Sequence, residues 1–259
     1  MNKSKLKNIN SRDIGLMIKV VEEQYLQDTL SGNLFFGSLN IYKDVENEQN
    51  DRVIGDASEG KLISNFEAFN ICIKNEEIAI RIPVNNKKTK LTCKIGMSGD
   101  QNIGICSFTY LSFDDFEEYQ HKEDRIYFKL RQSVINNISK FIKEKEKFTG
   151  RKCQIALFEP NEFCNILDKD SNLIYDFVKY YDKNNLEEFM NLEKRKIPTY
   201  FCKSKNYTTQ REFRVAKVLD KESRGEVVKV GTKETIGIQV TLSELKNYIL
   251  IAEGLVKLD

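Results

Sequence analysis

The stretch YTTQREFRVAKV, Tyr207–Val218, decides how the C-terminal half of this chain is read. Side chains two apart on a strand share a face, so an extended run places Gln210, Glu212 and Arg214 beside Ala216 and Val218. That face is polar at one end and apolar at the other. Arg211, Phe213 and Val215 take the opposite face, which is also partly apolar. A strand covered on both sides must find a partner for each charge it carries. Two readings follow. One is a buried or edge ion pair; the other is a site where Glu212 and Arg214, about 7 Å apart along the strand, reach one ligand.

Working outward, the flanking segments alternate in the same way. LMIKVV (16–21), NLFFGSLNIY (33–42), FNICI (69–73), EIAIRIPV (77–84), TKLTCKI (89–95), IGICSFTYL (103–111), RIYFKL (125–130), CQIALF (153–158), PTYFCK (198–203), GEVVKV (225–230) and IGIQV (236–240) are predicted strands. The clearest predicted helix is 131–148, where Val134, Ile135, Ile138, Phe141 and Ile142 form one stripe closed by Gly150. Shorter helices are expected over 22–32, from Pro160 to Asp168 and over 184–195, and at 241–247 behind a Thr241/Glu244 capping box. LIYDFVKYYD (173–182) fits strand or helix. DDFEEYQHKED (114–124) reads as a polar connection with His121 exposed in a loop. The sum is an α+β fold, a curved and largely antiparallel sheet with helices on a face or at one end. It forms a single domain over 14–259, preceded by a loose arm at 1–13.

Composition narrows the function classes. The chain has 259 residues, with 41 Lys and Arg against 39 Asp and Glu, so it lacks the basic excess of a general nucleic-acid binder. No apolar run approaches the ~20 residues of a membrane span, and the basic N-terminus lacks the apolar core of a signal peptide. A cytoplasmic protein is expected. The six cysteines form no CxxC pair, and several sit in apolar runs where a small buried thiol is the ordinary role. A single histidine removes most zinc and histidine-triad chemistry.

A second constellation lies in ENEQNDRVIGDASEG (46–60), a long polar loop that gathers Glu46, Asp51, Arg52, Asp56 and Glu59. It is a solvated acidic loop, a carboxylate cluster for a hard cation, or an ion-pairing partner for Lys203, Arg211 and Arg214. A third lies in GNLFFGSLNIY, where Gly37 allows close backbone approach and Ser38 and Tyr42 carry hydroxyls.

These motifs carry a resemblance. LSGNLFFGSLNIYKDVENE, DRVIGDASEG, CSFTYLSFDDF, DFVKYYD and FCKSKNYTTQREFRV resemble, in order and wording, an uncharacterised family of bacterial and phage-encoded proteins. The resemblance implies that DFVKYYD is a strand and that Asp56, Glu59, Lys203, Glu212 and Arg214 belong together. A further resemblance is to ADP-ribosyltransferases, through the strand–helix–strand start and Gln210–x–Glu212 on a late strand. It implies NAD as cofactor or substrate, with Glu212 hydrogen-bonding the ribose and stabilising an oxocarbenium-like transition state. Here Lys19 stands where those enzymes use Arg or His, and Ser38 or Tyr42 stands in for their Ser–Thr–Ser strand.

Three functions are therefore expected to compete. The first is a nucleotide- or NAD-binding protein of ADP-ribosyltransferase type, with Glu212 and Gln210 catalytic. The second is a non-catalytic protein of phage–host conflict or bacterial defence. It would hold a nucleotide-like anion or a protein partner through Lys203, Arg211, Arg214, Arg52, Asp56, Glu59 and Tyr42. The third is a magnesium phosphodiesterase using Glu46, Asp56, Glu59 and Glu212.

Overall fold

A computed structural model describes residues 15–42, 60–66, 91–95, 102–122, 125–220, 223–232 and 234–253. The arm predicted at 1–13 and the strands predicted at 69–73 and 77–84 lie outside the described residues.

The chain opens with β1 (Leu16–Glu22), a 3-10 turn and the short helix α1 (Leu26–Leu30). Gly32, at φ 87°, supplies the left-handed turn into β2 (Asn33–Ser38). The strand predicted to Tyr42 ends early, because residues 39–42 are helical. That turn folds Tyr42 back onto Gly37, where a Cβ would lie only 3.0 Å from the tyrosine Oη. The close approach expected of this glycine is thus made by a side chain of its own segment.

β3 (Leu62–Phe66) and β4 (Leu91–Ile95) pair antiparallel as a separate ribbon. β5 (Ile103–Leu111) follows. Next come β6 (Phe116–Lys122) and β7 (Arg125–Leu130), which correct the predicted polar connection. Among the described residues, β6 is the end strand of a small three-stranded sheet and pairs only with β7. A polar sequence can pair there because most of its side chains stay at least partly in solvent. His121 belongs to this strand and not to a loop.

Helix α2 (Gln132–Thr149) forms as its periodicity requires and ends at Gly150, φ 68°. β8 (Cys153–Phe158) leads into α3 (Pro160–Leu167), whose first amides donate to the Glu159 carboxylate. DFVKYYD resolves as two strands, β9 (Ile174–Phe177) and β10 (Lys179–Tyr181), broken at Val178. Helix α4 (Leu186–Lys194) follows. PTYFCK is half 3-10 turn, with β11 (Cys202–Ser204) as its strand.

A further 3-10 segment spans Lys205–Gln210, so the opening stretch is extended only from Glu212. β12 (Glu212–Val218), β13 (Gly225–Lys229), β14 (Ile238–Val240), α5 (Leu242–Lys246) and β15 (Ile249–Glu253) complete the chain. The Thr241/Glu244 capping box is present.

The fold is α+β around an open sheet of eight described strands, with all its ladders antiparallel. The path runs β13-β2-β5-β1-β8-β14, and β12 pairs with both β5 and β9. β10 and β11 pair parallel in a layer apart.

Alternation sorts the side chains between two cores. Met17 and Val21, with Phe108, Phe158, Phe213 and Val215, pack under α1 and α3. Leu16, Ile18 and Val20, with Ile155 and Leu157, pack under α2 and α5. Helices therefore cover both faces of the sheet. The buried free thiols of Cys106, Cys153, Cys164 and Cys202 have the structural role expected of them. Burial leads the causes that push the Cys164 thiol up to about 12, which leaves it protonated and inert. The three-turn stripe of α2 is the main cover of the second core. Ile135→Ala, which empties a buried site on that stripe, is expected to cost about 2–5 kcal/mol in urea unfolding. Lys140→Ala, on the exposed side of the same helix, should change stability by less than about 0.5 kcal/mol.

Candidate functional site

The Glu212 carboxylate is the centre of the site. β12 aligns with β5 at Glu212↔Thr109 and Arg214↔Ser107, and with β9 at Arg214↔Asp176. Glu212, Arg214 and Ala216 thereby lie on the face opposite Phe213 and Val215. Arg214 is only 1% exposed, and its Nε donates to Glu212 Oε2 at 2.7 Å while an Nη donates to the Tyr200 carbonyl. Lys203, carried in from β11, donates to Glu212 Oε1 at 2.6 Å. Ser107 Oγ adds a third contact, to Oε2 at 3.1 Å. The Glu212 amide donates to the Tyr180 hydroxyl at 2.9 Å.

Burial alone would raise the Glu212 pKa. The Arg214 and Lys203 cations and their hydrogen bonds reverse that and hold the carboxyl well below the usual carboxylate range. Glu212 is a fixed anion, and a carboxylate so hard to protonate is a poor general base.

Gln210 is not on the strand. It ends the 3-10 segment, and Arg211 turns the chain at φ 47° before β12 begins. The expected shared face of Gln210, Glu212 and Arg214 is therefore corrected. Gln210 still reaches the site, because its Oε1 accepts from Lys203 Nζ at 2.7 Å. The same ammonium stands 4.7 Å above the Tyr207 ring. Arg211 turns away from Glu212 and pairs with the buried Asp115 at 2.7 Å. Burial raises the Asp115 pKa, against the pull of that guanidinium.

These groups form one wall of a cleft of about 1450 Å³. Glu212, Gln210, Lys203, Arg214, Arg211 and Tyr42 all line it. Three other participants are Ser107, Lys19 and Lys145, of which sequence reasoning missed Ser107 and Lys145. Ser107 is a small hydroxyl in an apolar strand with no pattern to mark it. Lys19 is the one charge in LMIKVV and was visible as such. Its Nζ donates to the Ser107 carbonyl at 2.8 Å and lies 4.9 Å from the Phe108 ring. Lys145 continues the helical spacing of Ile138 and Ile142, yet a lysine there reads as solvent-facing. Lys61 and Lys183 add further cations to the lining.

Arg52, Asp56 and Glu59, with Glu46 and Asp51, lie outside the described residues. The residues that flank segment 43–59 do not: Tyr42 and Lys61 both line the cleft that Glu212 lines. Among the described residues, no three His, Cys, Asp or Glu side chains are grouped so as to hold a metal ion, and no helix is long and apolar enough to cross a membrane.

The chain matches no protein-family model, and no solved structure matches it at a significant level.

Two outcomes check the electrostatics. Glu212→Ala leaves two buried cations around an empty carboxylate site and is expected to cost about 3–5 kcal/mol. The folded Glu212 ionises more readily than the unfolded one, so its contribution is complete above the unfolded pKa near 4.3. It is lost as pH falls toward the folded value. The urea midpoint of wild type should therefore drop more between pH 5 and pH 3 than that of Glu212→Gln. Equal drops would mean that Glu212 is not ionised in the fold.

Proposed function

We propose that the cleft binds a nucleotide-like ligand, with NAD the first candidate, and that the protein is a nucleotide-binding protein of ADP-ribosyltransferase type. The observation that carries this reading is the Glu212 carboxylate, fixed and ionised in the wall of a large cleft that is also lined by Lys19 and Tyr42. Three regions of the chain supply those groups: β1, the turn after β2, and the start of β12. This supports the resemblance stated from sequence, in which Lys19 replaces an early Arg or His and Glu212 is the late-strand acid. In that role Glu212 accepts a hydrogen bond from a ribose hydroxyl and stabilises positive charge developing on the sugar. It needs no proton transfer, which suits its low pKa. Ammonium groups around the cleft, Lys61 and Lys183 among them, suit the phosphates of such a ligand.

A second reading, binding without turnover, is favoured by one feature. Both oxygens of Glu212 are already engaged, Oε1 by Lys203 and Oε2 by Arg214 and Ser107. A carboxylate has about four acceptor positions, so Glu212 keeps room for one ligand hydroxyl and little more. A small anion or a partner protein could then be held with no bond broken.

Titrating NAD, ADP-ribose, ATP and inorganic phosphate into the folded protein separates these readings. Under the first, NAD raises the melting temperature by several degrees and nicotinamide is released slowly. Glu212→Gln should lower that release at least about a hundredfold, the scale of losing one electrostatic contact to the transition state. Stabilisation by ADP-ribose or ATP without nicotinamide release supports the second reading. No response to any of the four removes nucleotide binding altogether.

A further inference from the structure

The central sheet is split beside β5. On one edge β12 pairs with β5 over Ile103–Thr109. On the other edge β1 holds only Thr109–Leu111 and β2 only Gly104–Ile105, so among the described residues no strand pairs with Cys106–Phe108 on that edge. Had the β1 register continued past Ile18↔Thr109, Val20 would stand opposite Ser107. Instead each of those two carbonyls accepts from a lysine. Ser107 takes Lys19 Nζ at 2.8 Å, and Val20 takes Lys145 Nζ at 2.7 Å.

The two lysines come from opposite sides of the sheet. Lys19 shares the Met17 and Val21 face of β1, and Lys145 descends from α2 on the Ile18 and Val20 face. Both side chains line the cleft. The charged and titratable groups facing Lys145 are Lys19 and Glu22 on β1, Cys153 on β8 and Cys106 on β5. Burial first, and the Lys19 cation next, pull Lys145 down to about 8, against the opposing influence of Cys153, Glu22 and Cys106. A lysine desolvated beside a second cation is the arrangement that makes an amine nucleophilic near neutral pH.

We propose that Lys145 forms a reversible imine with a small anionic carbonyl compound, whose anionic group pairs with Lys19. The step balances without an oxidant or cofactor. The lone pair of the neutral amine attacks the carbonyl carbon, and the carbinolamine then loses one water to leave a carbon–nitrogen double bond. Hydrolysis returns amine and carbonyl. One amine hydrogen can stay on the Val20 carbonyl during attack, which fixes the direction of the lone pair. A carbonyl is the electrophile that suits this cleft, because an amine captures it without a separate leaving group to stabilise. This inference shares Lys19 with the nucleotide reading but rests on Lys145 and makes no use of Glu212.

Pyridoxal 5′-phosphate, an aldehyde with a phosphate, is the probe. The full-length protein is incubated with limiting probe at pH 7.5, reduced with borohydride and mapped by peptide mass spectrometry. Label at Lys145 should exceed that at exposed Lys140 and Lys147 by about tenfold, because a lysine pulled down to about 8 has far more neutral amine at that pH than it would have at its ordinary value. Labelling of Lys145 itself should fall steadily as pH drops below about 8, and its excess over the exposed lysines should shrink as pH rises toward the ordinary lysine range near 10.4. Lys19→Gln, which removes the anion's partner and the neighbouring cation, should lower Lys145 labelling several-fold while Lys140 labelling stays constant. Labelling that follows exposure alone, with Lys145 at or below Lys140, overturns the proposal whether or not any variant folds. The labelling is run without NAD and reads Lys145 alone, while nicotinamide release reads Glu212, so the two readings fail separately.

Discussion

Arg214 sets the constraint that the rest of the structure must meet. Its guanidinium is almost completely buried in a strand covered on both faces, and an isolated cation there would cost several kcal/mol. The carboxylate that answers it is two residues earlier on the same face. The alternation that buries Arg214 thus also delivers Glu212. Lys203 then adds a second cation from β11, which ties the parallel β10–β11 layer to the main sheet. Such a cluster contributes little net stability compared with a well-packed apolar one. It does fix registers, because a one-residue slip of β12 would carry both charges to the face occupied by Phe213 and Val215. Glu212 reaches its low pKa by the same geometry. The group that looks most like a functional carboxylate is also the one that holds three strands in place.

The split beside β5 is the second consequence of this arrangement. β5 serves β12 along most of its length on one edge and must share the other edge between β1 and β2. β1 reaches only Thr109 and β2 only Ile105, so among the described residues a short piece of β5 has no strand partner on that edge. A buried carbonyl without a partner costs about 1–3 kcal/mol, and the sequence answers with Lys19 and Lys145 in place of backbone amides. Lysine is a long and flexible donor with more than one hydrogen to give. It can satisfy a carbonyl and still present an amine or ammonium to whatever enters the cleft. A sheet defect becomes a place with chemistry because the groups that repair it are titratable.

Much of the fold was legible in the sequence. The α2 stripe, the strands around Ile18, Phe108 and Ile155, the Thr241 capping box and the stop at Gly32 all follow from periodicity and from turn residues. Glu212 and Arg214 were legible too, as charges in a strand apolar on both faces. What failed has physical reasons. Gln210 was placed on β12 because alternation runs unbroken through YTTQREF; the break is a positive φ at Arg211, a residue that seldom adopts one. β6 was missed because a strand at the end of a small, largely solvated sheet needs few apolar residues. Residues 39–42 fit an extended pattern but are helical, and that turn sets Tyr42 against Gly37, a contact that alternation does not reveal. Lys145 was lost because a helical wheel assigns every lysine to solvent, although its spacing put it on the buried stripe. Arg52, Asp56 and Glu59 lie outside the described residues, so their part in the site stays a sequence-based proposal.

Two groups in the cleft lining divide its chemistry in a definite way. Glu212 is held as an anion by two cations, so across the neutral range it offers a fixed field and an acceptor but no exchangeable proton. Lys145 is the reverse. Burial and the Lys19 cation weaken its hold on a proton until the two forms are nearly balanced just above neutral pH. Proton transfer needs a group whose pKa lies near the working pH, so an acid–base or nucleophilic step in this cleft suits Lys145. Electrostatic orientation of a polar substrate suits Glu212. The chain separates those functions by mounting one on the late strand and the other on a helix from across the split.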